Sequence, residues 1–127
     1  IEVVCDREQI QQAFLAILDN AIGAMSKGGS ITVKTSCDTD KKKVRIDFKD
    51  SGPGISPTDL PHIFEPFYTT KKEGKGLGLG LSVCYGIIER HNGKIEVNSA
   101  VGEGSTFSIQ LPAHCGGNKP GGSYFKI

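Results

Sequence analysis

Gly74-Lys75-Gly76-Leu77-Gly78-Leu79-Gly80-Leu81-Ser82 sets four glycines at every second position and runs straight into an apolar, helix-like stretch beginning near Leu81. Glycine reaches positive φ and lets a backbone approach a ligand closely. A helix start offers unpaired N–H groups and a partial positive charge to an anion. The stretch therefore reads as a phosphate-facing loop that opens a helix. It matches neither common nucleotide fingerprint, because no Gly-Lys-Ser/Thr closes it and no G-x-G-x-x-G spacing occurs. Alone, such a run is equally a flexible linker. The segments on either side have to decide.

Downstream, Leu79 to His91 has helical periodicity, with Leu81, Cys84, Tyr85 and Ile88 on one face and Asn92-Gly93 as the C-cap. Two strands, Lys94 to Ser99 and Ser105 to Leu111, follow around the turn Val101-Gly102-Glu103-Gly104. Residues 113–127 are glycine-rich and expected to be a flexible tail, with Tyr124, Phe125 and Ile127 available to dock. Upstream, Asp50 to Gly80 is rich in Gly, Pro, Thr and Lys, and a loop this long in a small domain is usually functional. One short helix is expected within it at Thr58 to Phe64, which Pro57 opens and Pro66 stops. Before the loop, Ser30 to Ser36 and Lys43 to Lys49 alternate like an antiparallel hairpin, with Lys41, Lys42 and Lys43 at its polar tip. Glu2 to Val4 is short and β-like. Asp6 then offers an N-cap with Gln9 three residues on, close to a capping box. The helix it opens carries Ile10, Phe14, Ile17, Leu18, Ala21, Ile22 and Met25 on one face, and Gly28-Gly29 ends it. The pattern as a whole predicts an α+β fold, a two-layer sandwich with helices packed on one face of a mixed, mostly antiparallel sheet.

With 127 residues, 37% hydrophobic and 23% charged, the chain fits one globular domain and leaves no room for a second. A net charge of +1 and the lack of a basic stripe interleaved with aromatics speak against a nucleic-acid partner. No apolar run is long enough to span a bilayer and the start carries no secretory signal. A cytoplasmic domain without direct membrane contact is expected, including one whose longer parent chain is membrane-anchored. Cys5, Cys37, Cys84 and Cys115 lie far apart, with no C-x-x-C pair and no histidine at ligand spacing, so reduced thiols are expected and not a zinc site.

Three further segments carry chemistry. Asn20 lies on the flank of the first helix's apolar face, where its carbonyl is either a ligand for a hard cation such as Mg²⁺ or an ordinary surface hydrogen-bonding group. Asp50-Ser51-Gly52-Pro53-Gly54-Ile55 follows a strand and opens the long loop. A carboxylate there can accept from an exocyclic amine while glycines leave space for a flat ring. Ile63-Phe64-Glu65-Pro66-Phe67-Tyr68-Thr69-Thr70-Lys71 is either a Pro-kinked hydrophobic plug or an aromatic anchor with hydroxyls and a cation in reach of phosphate.

In order, these segments resemble the four boxes of the ATP-binding catalytic domain of sensor histidine kinases, in the GHKL superfamily with gyrase, Hsp90 and MutL. The resemblance covers residues 1 to about 112. Leu15 to Ala21 resembles the N box, Asp50 to Ile55 the G1 box, Ile63 to Phe67 the F box and Gly76 to Ser82 the G2 box, with a lid over about 66–79. His91-Asn92-Gly93-Lys94-Ile95 and Gly104-Ser105-Thr106-Phe107 are also similar to the family. The resemblance implies the Bergerat fold. By it, Asn20 is the Mg²⁺ ligand, Asp50 the carboxylate that reads adenine, and Gly52 and Gly54 the floor under the base, with Ile55 and Phe64 bordering the nucleotide. Thr106 resembles the hydroxyl that helps position adenine, often through water, and Tyr68 and Lys71 are ribose or phosphate contacts. Gly76, Leu77, Gly78, Leu79 and Gly80 would hold the phosphates together with the N–H groups of the following helix.

Some positions depart from the family pattern. Ala16, one helical turn before Asn20, stands where kinases of the family usually carry Asn and their ATPase relatives a Glu acting as general base. Gly23 replaces a lysine found in some kinases, and Leu77 replaces the usual Thr of the G2 box, so Lys71, Lys72 or Lys75 is expected to supply phosphate-facing charge. His62, His91 and His114 all read as structural, so neither a general base nor a phosphoacceptor is expected in this chain. The implied function is to bind Mg-ATP and donate its γ-phosphoryl to a histidine on a separate helical-hairpin domain of a homodimeric parent, for onward transfer to a response-regulator receiver aspartate. A serine/threonine kinase of the anti-sigma-factor type needs an acidic base at position 16. A nucleotide-binding regulatory module or pseudokinase without phosphoryl transfer is the alternative that Ala16 and Leu77 leave open.

Overall fold

The computed structural model describes residues 2–68, 80–113 and 124–126. In chain order its elements are β1 (Glu2–Val4), α1 (Arg7–Ala24), β2 (Ile31–Asp38), β3 (Lys43–Asp50), a 3-10 turn (Leu60–His62), α2 (Gly80–Arg90), β4 (Lys94–Ala100), β5 (Gly104–Pro112) and β6 (Tyr124–Lys126). Alternation in β3 turns Val44, Ile46, Phe48 and Asp50 to one side, all buried, and leaves Lys43 and Lys49 exposed on the other. The antiparallel partner β5 does the same with Phe107, Ile109 and Leu111, which stand directly opposite Phe48, Ile46 and Val44. The sheet runs in the order β2-β3-β5-β4, and every pairing within it is antiparallel. One face is thus apolar and the other wet, the usual state of an antiparallel sheet with helices on a single side.

Both helices lie on the apolar face. Ile10, Ala13 and Ile17 of α1 and Cys84, Ile87 and Ile88 of α2 are buried in one core with the inward strand residues, and Ala21 is buried as well. Phe14 packs on Phe48 with ring centroids 5.4 Å apart. The periodicity placed this face correctly except at its edge, because Ile22 points outward and is 60% exposed. α1 stops at Ala24, where the Met25 N–H bonds the carbonyls of Ala21 and Ile22, so Gly28 and Gly29 shape the turn into β2 and do not end the helix. The helix expected over Thr58 to Phe64 is reduced to the Leu60–His62 turn, since Pro61 brings no N–H to a longer ladder. Asn92 adopts φ 56° and Gly93 donates to the Ile88 carbonyl, the expected cap for α2.

The capping box at the start of α1 is half of what the sequence suggests. Asp6 Oδ1 accepts from the Gln9 N–H at 3.1 Å, but the Asp6 N–H goes to His91 Nε2 at 3.0 Å and not to the Gln9 side chain. His91 Nδ1 then donates to the Ile87 carbonyl at 2.7 Å, so the neutral ring ties the end of α2 to the start of α1. β1 forms a separate two-stranded sheet with β6, pairing Val4 with Tyr124 and Val3 with Phe125. The short strand β6 lies within the stretch that the sequence marks as a flexible tail, most of which is outside the described residues.

No disulfide joins the described cysteines. Cys84 is fully buried, and burial pushes its thiol up to about 12. At pH 8 Cys84 is expected to resist alkylation in the folded protein and to react once the chain is unfolded, as read by mass spectrometry. Rapid labelling under native conditions would show that the α1–α2 seam opens.

Candidate functional site

The inward row of β3 ends on a carboxylate. Asp50 continues Val44, Ile46 and Phe48 to the end of the strand, where it is only 5% exposed. A buried charge needs donors. Gly52, two residues on, turns its N–H back to Asp50 Oδ1 at 2.9 Å. A carboxylate has capacity for several such bonds, so Asp50 can serve a further donor.

Ser105 stands directly opposite Asp50 in the β3–β5 register and is equally buried at 6%. Paired antiparallel residues project to the same face, so its hydroxyl shares the carboxylate's environment. Thr106, the residue expected from the sequence, pairs with Lys49 and Asn98 and projects to the opposite, wet face of the sheet. The strand's period of two therefore puts Ser105, and not Thr106, on the face of Asp50. Parity was the signal available in the sequence: Ser105 shares the phase of the apolar Phe107, Ile109 and Leu111, and Thr106 does not.

Two glycines hold this corner together. Gly104 has φ 86°, and a β-carbon on it would lie 2.1 Å from the Asp50 carbonyl oxygen. Gly54 has φ 78°, and a β-carbon there would lie 2.2 Å from the Ala100 carbonyl oxygen. Both positions combine left-handed backbone with close approach, which only glycine accepts. The loop is also pinned by the Gly102 N–H to the Pro53 carbonyl at 2.8 Å and by the Ile55 N–H to Ser99 Oγ at 2.7 Å. The Ile55 side chain packs against the core.

One stripe of α1 faces this corner. A β-carbon on Gly52 would lie 3.7 Å from Ala24 Cβ, and one on Gly80 would lie 3.9 Å from Ala16 Cβ. Ala16, Asn20 and Ala24 are spaced by four and so share a face. Half-buried Asn20 accordingly sits between the Asp50 loop and the first residue of α2. Ala16, at the α2 end, contributes a methyl group and neither a ligand nor a base.

The Pro-rich segment begins as a hydrophobic plug. Ile63 is buried, and the Phe64 ring packs 5.4 Å from Tyr85 and 6.4 Å from Phe107 between centroids, so Phe64 serves as packing behind the inward row. Phe67 instead has φ 67° and is 73% exposed. The Tyr68 hydroxyl donates to Asp59 Oδ1, and the Ser56 hydroxyl donates to Asp59 Oδ2 at 2.9 Å. These two bonds hold the Asp59 carboxyl below its usual range. Tyr68 is therefore tied back to its own loop at the entrance to residues 69–79. Lys71, Gly76, Leu77, Gly78 and Leu79, with Lys72, Lys75 and most of the lid, lie outside the described residues. So does His114, while His62 pairs with Glu65 at 2.9 Å.

No group of three or more His, Cys, Asp or Glu side chains that could hold a metal occurs among the described residues. Nor is any described helix long and apolar enough to cross a membrane.

The profile of the family described as "Histidine kinase-, DNA gyrase B-, and HSP90-like ATPase" matches residues 5–114. The chain belongs to this family. Sporulation kinase E of Bacillus subtilis is 46% identical over 110 residues, a match that takes in 87% of this chain and 14% of that protein. Among solved structures, a nucleotide-free form of the catalytic domain of histidine kinase ThkA superposes with TM-score 0.74 at 38% identity, covering 87% of this chain and 70% of that one. Full-length ShkA in complex with AMPPNP superposes with TM-score 0.75 at 28% identity, over 87% of this chain and 22% of that one. The fold is thus that of histidine kinase catalytic domains, and the chain spans about one seventh of the length of sporulation kinase E.

Proposed function

We propose that this domain binds ATP and, within a longer parent protein, donates the γ-phosphoryl group to a histidine on a separate helical-hairpin domain of a homodimeric sensor kinase, for onward transfer to a receiver aspartate. The observation that carries the reading is the buried Asp50 carboxylate. It is fixed by Gly52, faced by Ser105 and floored by a loop in which Gly54 has no room for a side chain. A carboxylate in that setting accepts from the exocyclic amine of adenine. The stripe from Ala24 through Asn20 to Ala16 then leads from the base toward the start of α2, whose N–H groups suit phosphate.

Mg²⁺ fits this site as the nucleotide's own companion. Asn20 is the one described side chain proposed as a ligand, and a hard cation held mainly by phosphate oxygens and water needs no protein cage. When bound, it would neutralise charge on the β- and γ-phosphates. Ala16 supplies no general base, so hydrolysis of ATP by the domain alone is expected to be slow. Asp50, Gly52, Gly54 and Ser105 orient the base, while Lys71 and the glycines Gly76, Gly78 and Gly80 are proposed to hold phosphate. A cytoplasmic location follows from this role.

The test mixes the domain with a histidine-bearing helical-hairpin domain, Mg²⁺ and γ-labelled ATP. Acid-labile, base-stable phosphate is expected on the hairpin. ATP binding without any transfer would replace the kinase reading with that of a regulatory nucleotide-binding module, which the lost side chain at Ala16 favours. Strand parity adds a second expectation: Ser105→Ala should weaken ATP binding about tenfold, the worth of one hydrogen bond, and Thr106→Ala should leave it unchanged. Calorimetry on both variants checks this, and the reverse ranking would return the role to Thr106.

A further inference from the structure

Ser99 lies on β4 opposite Ser105 and is tied to three partners at once. Its Oγ receives the Ile55 N–H at 2.7 Å, lies 2.8 Å from Ser105 Oγ and reaches the Gly104 carbonyl oxygen at 3.1 Å. With all three bonds made, the protons can be allocated in one way. A carbonyl oxygen only accepts, so the single Ser99 proton goes to Gly104, and a backbone N–H only donates, so Ile55 takes one Ser99 lone pair. The Ser99–Ser105 contact then has to be donated by Ser105, whose one proton is committed there. What Ser105 has left to show toward Asp50 is lone pairs alone.

The geometry points to Ser99 as a positioning residue that sets purine specificity: by holding the Ser105 proton, it leaves two acceptors, Asp50 and Ser105, facing the ligand, so the base edge seated there must donate. A 6-amino purine, or a water it binds, satisfies both acceptors. A 6-oxo purine brings an acceptor to acceptors and leaves buried lone pairs facing one another, which costs affinity. Asp50 repels the oxo group by its charge, while Ser105, free to turn, would offer it a proton. Ser99 removes that escape. The inference rests on the adenine reading of the pocket given above.

The test compares binding of ATP and inosine triphosphate, which carries an oxo group in place of the 6-amine, to the native domain and its variants by calorimetry. The native domain is expected to favour ATP. Ser99→Ala should lower the ATP-to-ITP affinity ratio about tenfold, mainly by improving ITP, because the freed Ser105 hydroxyl can donate to the oxo group. Ser99→Thr, which keeps a hydroxyl on β4, should restore the ratio. In the Ser99→Ala, Ser105→Ala double variant the ratio should be that of Ser105→Ala alone, since Ser99 acts only through Ser105. Equal losses for both nucleotides in Ser99→Ala would mean that Ser99 only braces the Ile55 loop, and would overturn the inference while leaving the adenine site standing. A native domain that binds neither nucleotide would overturn the adenine site itself. Should Ser99→Ala not fold, Ser105→Ala carries the test: an unchanged ratio there sinks the proposal.

Discussion

Asp50→Asn is expected to reduce ATP affinity about 100-fold or more while leaving the domain folded. The substitution nearly preserves shape, and the amide oxygen can still accept from the Gly52 N–H that now meets Oδ1 at 2.9 Å. The loop therefore keeps its anchor. What changes is the other half of the group: a charged acceptor becomes an NH2 donor facing the amine of the base. A hydrogen bond to a charged group is worth about 1.5–3 kcal/mol, and opposing donors forfeit it with a desolvation penalty added. About 3 kcal/mol corresponds to roughly 100-fold in affinity. Calorimetry with ATP, alongside thermal melting, separates the two consequences. Unchanged affinity in a folded variant would remove Asp50 from base recognition, and a collapsed melting temperature would make its role structural.

Gly104→Ala is expected to cost at least about 3 kcal/mol of stability, lowering the melting temperature by roughly 10 °C for a domain of this size. Two terms add at this position. Alanine pays for φ 86°, and its β-carbon would fall 2.1 Å from the Asp50 carbonyl oxygen, so the start of β5 must pull away from the end of β3. That movement separates Ser105 from Asp50, so ATP binding should fall as well. Gly102→Ala is the control, because φ is 84° there and nothing lies within 4 Å of the added carbon. It should cost only the backbone term, about 1–2 kcal/mol. Equal losses in the two variants would show that the close approach of the strands is not what demands glycine at position 104.

Much of this architecture is legible along the chain because the signals are local. The alternation in Lys43 to Lys49 and Ser105 to Leu111, the three-and-four spacing from Ile10 to Ala21, and the Asn92-Gly93 cap each need only neighbouring residues to be recognised. So does the placement of Asp50 at a strand end before a glycine-rich loop. The failures share a different cause. Ile22 fits the apolar stripe by spacing and is nonetheless 60% exposed, because how wide a stripe the sheet covers depends on where α1 lies over it. The helix expected over Thr58 to Phe64 is a single turn, Leu60–His62, around which Ser56, Asp59 and Tyr68 bond one another through their side chains.

The hydroxyl beside Asp50 marks the boundary between the two kinds of information. The sequence by itself determined that Asp50 stands where a strand gives way to a glycine-rich loop, and that Ser105 and Thr106 point to opposite faces of their strand, since the period of two is a property of each strand's own backbone. Only the tertiary structure decided that Ser105 is the residue paired with Asp50, that Ser99 holds its proton, and that the Asp6 N–H is met by His91 and not by Gln9. Register and cross-chain hydrogen bonds are set by the packing of whole elements. Partners 85 residues apart, as Asp6 and His91 are, have no mutual signal in the chain until the sheet and helices have assembled.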